Sequence, residues 1–558
     1  MIRISTSSIL KMMKNQFTMG FAVAAPGIMM AAFSPAAIAA EGSCFIKDGD
    51  RVGFFGDSIT ESNVYPKITE LVFRHFHPDA KVSFINNGGA GRQLAGTAMD
   101  IITKGDPTVV IIMMGMNDAI NSSWVRGLPI EPKVAEYKAN LVRVVRELKK
   151  QGREVVIFTP TLTGEDAEMT CFRIEGTRVL LEGMGKACEE VAKEESVYCL
   201  PIQSEFESYQ DSLPRFAQLR PDGVHPCARG YYQISRSIWS HLNLAGSLEG
   251  PRAVTPAQPA LDVNLTLASN IIPADTDSVD FTISTPKPIP AKLTWNLGQD
   301  RGTEDINLTG KDNWTLKLPK GSLPQADGKS ATLVIDIESH GARQIIVVDL
   351  FRKMVIHGKD GMAAGTITDP AGNQVCSYSF KKDGKGLIFD ASVKKNELFP
   401  STNDAWPWGN GDALTLYIDL RKAPDLGGLG FDGNVFQVWF KPQAKPVFSP
   451  GFHPWSGKNM ANIASVNGEK TPDGYRVGVK LAGYYNIYDA FDISDRDFIG
   501  CDISVFYPAA IGKQTSISVQ KSTDRQIFVY PGAFAIVDLN GKLDANSTFT
   551  ASVFPDNL

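Results

Sequence analysis

Charge is what the first forty residues lack. Only Arg3, Lys11 and Lys14 are charged there, and no acidic side chain occurs. An apolar stretch from about Phe17 to Phe33 follows, and Ser34-Pro35-Ala36-Ala37-Ile38-Ala39-Ala40 closes the segment with mostly small residues. That order is expected of a secretory signal peptide, residues 1–40, cut near Ala40, so the mature chain is expected outside the cytoplasm, periplasmic or secreted. A membrane anchor is the rival, and Pro26 and the small-residue exit weigh against it. No integral span is expected in the mature chain. A basic excess is also lacking. The formal net charge is −5, and removing the segment takes away cations only, which argues against nucleic acid or an anionic membrane as partner. Cysteine is scarce, at seven residues, and no pair has zinc-finger spacing, so neither a metal site nor a cofactor is expected. Export would permit disulfides, and the odd count leaves at least one thiol unpaired within the chain. A bridge from Cys171 to Cys227 would stiffen the loop that carries His225. A buried thiol is the alternative, and spacing does not decide.

What is present is an ordinary globular composition, 43% hydrophobic and 21% charged, over a length of two to four domains. From about residue 45 to 245 apolar strands alternate with helices. The strands are expected at Val52–Phe55, Val82–Asn86, Thr108–Met114, Val155–Thr159 and Val197–Leu200. The clearest helix runs from Pro132 to Gln151, with Val134, Leu141, Val144, Val145 and Leu148 on one face and Gly152 after it. A second runs from about Gly176 to Glu195. Strands apolar throughout and separated by helices indicate a parallel sheet covered on both faces. Ligands of such sheets bind beyond the carboxyl ends of the strands.

Three short segments stand at those ends. Gly56-Asp57-Ser58 follows the first strand, Asn86-Asn87-Gly88-Gly89-Ala90-Gly91 the second, and Gly115-Met116-Asn117-Asp118 the third. Asp222-Gly223-Val224-His225 comes later. A serine at a strand exit needs an adjacent base to become a nucleophile. His225 is preferred because Asp222, three residues earlier on a Gly- and Pro-bounded turn, can fix its tautomer. Asp222 as a turn residue bonded only to backbone is the other reading. The oxyanion donors are expected from the backbone N–H of Ser58, the backbone N–H of Gly88 and the side-chain amide of Asn117. Taken singly, Gly88 could mark a tight turn and Asn117 a helix cap. In order, the four segments make the inventory of acyl transfer through a serine ester. His75 and His77 near the end of an early helix have no matching carboxylates and are expected at the surface rather than on a metal.

These four segments resemble the blocks of the SGNH (GDSL-type) esterase superfamily, over about Asp48 to Leu244. The resemblance implies a flavodoxin-like three-layer α/β domain at residues 41–247. Ser58 would be its nucleophile, His225 its base with Asp222 in support, and Gly88 and Asn117 would complete the oxyanion hole.

Prolines 251, 256 and 259 mark a linker at residues 248–262. Beyond it, short alternating segments between Gly, Pro, Asp and Asn predict two β-sandwiches, an Ig-like one at 263–348 and a second at 349–558. Their strands include Val279–Ser284, Lys292–Asn296, Trp314–Leu318, Ala331–Ile337, Leu387–Val393, Ala413–Asp419, Val435–Phe440, Arg476–Leu481 and Cys501–Tyr507. The second unit resembles family-nine carbohydrate-binding modules at Ala405-Trp406-Pro407-Trp408-Gly409-Asn410-Gly411-Asp412 and the strand after it. Trp406, Trp408 and Trp455 are its candidates for stacking on a sugar, with core packing as the alternative. The expected partner is an acylated carbohydrate, and the expected activity is removal of small acyl groups, acetyl above all. A lipase or thioesterase with the same residues is the alternative, as is a sugar-binding or adhesion protein with a vestigial esterase domain.

Overall fold

A computed structural model describes residues 42–554, leaving out 124–128, 165–175, 214–218, 221–222, 258–259, 268–270, 273–276, 320, 324–329, 353, 396, 400–410, 421–434, 443–447, 455–463, 483, 486–489, 507–515, 520–533 and 544–548. The expected signal segment lies outside the described residues, as do Cys171, Asp222, Trp406, Trp408 and Trp455. Among the described residues no helix is long and apolar enough to cross a membrane.

The first half is built on five strands: β1 (Arg51–Gly56), β2 (Ser83–Gly88), β3 (Val109–Met113), β4 (Glu154–Phe158) and β5 (Tyr198–Leu200). They lie side by side in the order β2-β1-β3-β4-β5, every pair parallel. That is the flavodoxin-like order. Its direction reverses between β1 and β3, which opens a crevice beyond their carboxyl ends. β3 is Val-Val-Ile-Ile-Met with every residue buried, as a strand covered on both faces requires.

Helices α1 (Ser58–Glu61), α2 (Val64–Phe76), α3 (Met99–Ile102), α4 (Met116–Ser123), α5 (Ile130–Lys150), α6 (Thr177–Glu195), α7 (Ile202–Ser212) and α8 (Ala228–His241) connect and cover the sheet. The buried side of α5 is Tyr137, Leu141, Val144, Val145 and Leu148. The helix starts at Ile130, two residues before Pro132. A proline is tolerated there because the first-turn N–H groups have no partner inside the helix.

From residue 264 onward the described chain is mostly β-sheet. β6 (Asn264–Leu267), β7 (Ile271–Ile272), β8 (Ser278–Ser284), β9 (Ile289–Leu297), β10 (Asp300–Leu308), β11 (Lys311–Lys317), β12 (Ser330–Ser339) and β13 (Ala342–Arg352) come first. Sheet β11-β8-β6 and the β10-β9-β12-β13 part of a second sheet share one apolar cluster, with Phe281, Trp314, Leu293, Trp295, Leu333 and Val348 among its members. A separate cluster lies among the later strands.

Three expectations are corrected. The boundary at 348/349 falls inside β13, whose pairing with β12 runs on to Phe351, and the strand Phe549–Phe554 returns to pair with β13. The described part of residues 248–262 is tied down at Arg252 and Thr255 rather than free. Arg252 donates to Asp50 at 2.6 and 2.8 Å and to Phe45 O at 2.7 Å, and Thr255 N donates to His241 O at 2.9 Å. Burial opposes ionisation of Asp50, but the bonds from Arg252 and Lys47 N outweigh it and hold the carboxyl below its usual pKa. His75 and His77 are half-buried and hydrogen-bonded rather than free at the surface. His75 bonds Asn296 and Thr294 on β9, and His77 bonds Leu244 O at 2.8 Å.

The two halves are fused by packing as well. Val334 on β12 and Ile345 and Val347 on β13 belong to the same cluster as Phe54, Val110 and Tyr232 of the α/β half. Tyr232 Oη donates to Ile345 O. Each aliphatic side chain buried there contributes about 1.5–3 kcal/mol relative to exposure.

Candidate active site

Ser58 opens α1 directly after β1. Asp57 caps the helix, its carboxylate accepting from Ile59 N at 2.9 Å. Burial pushes the Asp57 carboxyl up to about 6, against the Ile59 N–H and the nearby His225, which lower it. Ser58 Oγ lies 2.8 Å from His225 Nε2 across 167 residues of sequence. At that distance the hydroxyl can donate to a neutral imidazole, the arrangement of a nucleophile with its base.

The loop that presents His225 is pinned at several points. Cys227 N donates to Leu219 O at 2.7 Å and closes the loop on itself. Gly223, with φ +85, takes the left-handed turn inside it and accepts from Gly164 N at 2.9 Å. Leu219 N donates to Gln210 Oε1 at 2.8 Å. Arg220 is buried, pairs with Glu207 of α7 and lies 5.0 Å above the Phe206 ring. Glu207 also takes Arg178 Nη2 at 3.0 Å, and Arg178 Nη1 donates to Thr163 O. Arg220 and Glu207 are supporting residues that the sequence alone does not reveal. Arg220 adjoins the Pro-Asp-Gly-Val-His run, but nothing local marks Glu207 as its partner. Buried Cys227 falls in the apolar cluster of the C-terminal strands.

The glycine segment is arranged differently from expectation. Gly88 N donates to Asn86 Oδ1 at 2.8 Å, so its N–H is already engaged. What excludes a side chain at Gly88 is α1: an added Cβ would stand 2.2 Å from Glu61 N. Asn86 further bonds Thr60 O and Asn63 Oδ1, and Asn87 bonds Ile102 O and Lys104 O. Gly89 N goes to Gly56 O. Gly91, at φ +70, has open space around its Cα, and no acceptor for its N–H is found among the described residues.

Asn117 stands in the first turn of α4, its Nδ2 donating to Arg92 O at 3.2 Å, while Gln93 Nε2 donates to Asn117 O. Asp118 accepts from Leu94 N at 3.0 and 3.2 Å and ties the glycine loop to α4. Burial raises its pKa. Arg92 reaches back to Gly56 O and Asn87 O over the Phe55 ring. The structure therefore brings Ser58 and His225 into contact and ties Asn117, on α4, to the loop that follows β2. Among the described residues no three His, Cys, Asp or Glu side chains gather as a metal-ion site.

Residues 54–233 match the model of the GDSL-like Lipase/Acylhydrolase family, a stretch that contains Ser58, Asn117 and His225. Two solved structures are similar over about a third of the chain. One is LAE5, an alpha/beta hydrolase enzyme from the metagenome of Lake Arreo, Spain, at 18% identity and TM-score 0.31, covering 37% of this chain and all of that one. The other is Axe2, an acetylxylan esterase from Geobacillus stearothermophilus, at 21% identity and TM-score 0.30, covering 35% of this chain and 95% of that one. No curated protein matches the chain in sequence.

Proposed function

We propose that the chain is an exported serine esterase that removes small acyl groups, acetyl above all, from a carbohydrate. The observation that carries this reading is the 2.8 Å contact between Ser58 Oγ and His225 Nε2 at the crevice beyond β1 and β3. Ser58 Oγ attacks the ester carbonyl while its proton passes to His225 Nε2. The oxyanion is met by the backbone N–H of Ser58 and the Asn117 amide. Since the Gly88 N–H is engaged by Asn86, we assign the remaining donor to Gly91 N. His225 then gives its proton to the departing sugar hydroxyl, leaving an acyl ester on Ser58. Water, activated by the same imidazole, releases the acid. Asp222, three residues before His225, is assigned to orient the ring.

The carbohydrate half of the proposal rests on the signal-like leader and on the resemblance around Trp406 and Trp408. The strand Ala413–Asp419 falls where that resemblance expects an apolar strand, and all seven of its residues are buried. We read the β-rich region as two sandwiches, the second a glycan-binding module with Trp406, Trp408 and Trp455 as stacking platforms. The test is acetate release from a panel of acetylated xylan, pectin, sialylated mucin and peptidoglycan, alongside fluorophosphonate labelling mapped by mass spectrometry. Label on Ser58 with release from one polymer is the expected result. Label elsewhere refutes the site, and release from none of the polymers refutes the substrate class.

A further inference from the structure

The carboxyl-terminal end of α2 and the β9–β10 edge of the neighbouring sheet enclose a cleft of about 490 Å³, within the range of small-ligand sites. It lies at the far end of a 13-residue helix from Ser58, about 20 Å away at 1.5 Å per residue, so it is not the catalytic crevice. Asp336 lines it and is 3% exposed. Its Oδ2 accepts from Arg343 and from Thr294 Oγ1, and its Oδ1 has no hydrogen-bond partner among the described residues. Buried acceptors are rarely left so. Burial pushes this carboxyl up to about 6. Lys292 and Arg301 line the same cleft, and among the described residues neither has a carboxylate within ion-pair distance. Glu338 beside them offsets one of the two cations. His75 closes the wall through Asn296 and Thr294.

The cleft thus presents an excess of one positive charge, a guanidinium able to hold a carboxylate through two parallel bonds, and a buried oxygen that needs an O–H donor. A phosphate monoester brings nearly two negative charges, more than the cleft offsets. A neutral sugar leaves the cations unmatched. We propose that this cleft binds a uronic-acid residue of a glycan, its carboxylate against Arg301 and Lys292 and a ring hydroxyl donating to Asp336 Oδ1. This rests on the carbohydrate reading above and narrows it to acidic polymers.

The test is calorimetric titration of the full chain with tetragalacturonate, with a glucuronyl-substituted xylo-oligosaccharide and with neutral xylotetraose, repeated with Arg301→Ala and Lys292→Ala. Turnover of p-nitrophenyl acetate is measured on the same samples. At least one acidic oligomer is expected to bind about tenfold or more tighter than xylotetraose. Each substitution should abolish that margin and leave turnover unchanged. Equal binding of acidic and neutral oligomers overturns the proposal, as does no binding of either acidic oligomer or an unaltered margin in both variants. Loss of wild-type turnover would strike the esterase reading instead, because the binding measurement does not pass through Ser58.

Discussion

Glu207→Gln tests whether the base is held in place by the buried charge behind it. Arg220, whose side chain is 2% exposed, sits in the loop that carries His225 and pairs with Glu207, 17% exposed on α7. Removing one partner of a buried ion pair costs on the order of 3–5 kcal/mol, because the remaining charge is stranded. Glutamine keeps one acceptor oxygen and Glu207 is partly wet, so a cost of about 2–3 kcal/mol is expected here. Among the described ties of the loop, Cys227 N to Leu219 O, Leu219 N to Gln210 and Gly164 N to Gly223 O are single neutral hydrogen bonds. A mismatched guanidinium beside them is expected to pull the imidazole from its 2.8 Å contact with Ser58 Oγ, even with Asp222 in its assigned place. A displacement near 1 Å costs about 10²-fold in rate, so kcat on p-nitrophenyl acetate should fall roughly 10- to 100-fold with KM nearly unchanged. Fluorophosphonate labelling of Ser58 should slow in proportion, since it reports the same activation. A kcat within about twofold of wild type, alongside a lowered melting temperature, would show that Glu207 supports stability alone and would refute the reasoning.

Ser58→Ala should lower ester turnover by on the order of 10⁴ or more with folding intact, and near-normal turnover would remove the nucleophile assignment. Asn117→Ala should cost roughly 10²–10³ in kcat with a smaller change in KM, and a rise in KM alone would make it a binding residue. His75 is held neutral, with burial first and the nearby Arg343 and Arg301 next lowering its pKa to about 4. Below pH 6.5 the unfolded chain takes up a proton that the folded chain refuses, so stability should fall between pH 6.5 and 4. Asp336, raised to about 6, runs the opposite way and favours the folded state as pH falls. The His75 contribution is therefore read as the difference in melting temperature between wild type and His75→Gln across that window, and identical pH profiles would refute it. A chain ending at Gly250 loses Arg252 from Asp50 and uncovers the α2 and α8 surface that β12 and β13 bury. It should aggregate, whereas a monodisperse fragment with full turnover on p-nitrophenyl acetate would show that the halves are independent.

The parallel sheet was legible because its strands are buried on both faces and so read as unbroken apolar runs, as in β3. The meeting of Ser58 and His225 was legible because each stands in a short, distinctive segment and because strands of a parallel sheet end on one side. Which of the Gly88, Gly89 and Gly91 N–H groups is engaged within the loop was not. All three lack a side chain, and only the folded hydrogen bonds tell which N–H is engaged: Gly88 by Asn86, Gly89 by Gly56. Composition also misled at residues 248–262. Prolines report backbone conformation, while the bond that straps this segment down joins Arg252 to Asp50, 202 residues away. The same holds for His75, whose partners lie about 220 residues further on. Pairing of Phe549–Phe554 with β13 leaves no mark in either strand taken alone.

These long-range ties change what the β-rich half does for the site. A module joined by a loose linker would act only by raising local substrate concentration, and the chemistry would not depend on it. Here β12 and β13 enter the core beneath α2 and α8. α8 begins one residue after Cys227, so its placement sets where the His225 loop ends. Cys227 in turn is buried in the C-terminal cluster with Ile356, Tyr417 and Phe534. The imidazole is thus held from two directions, by Glu207 and Arg220 on the side of α7 and by the β-rich half at the foot of α8. Substitutions in that second support, far from any ester, should alter kcat rather than polymer affinity alone, which is the opposite of what a detachable targeting module would show.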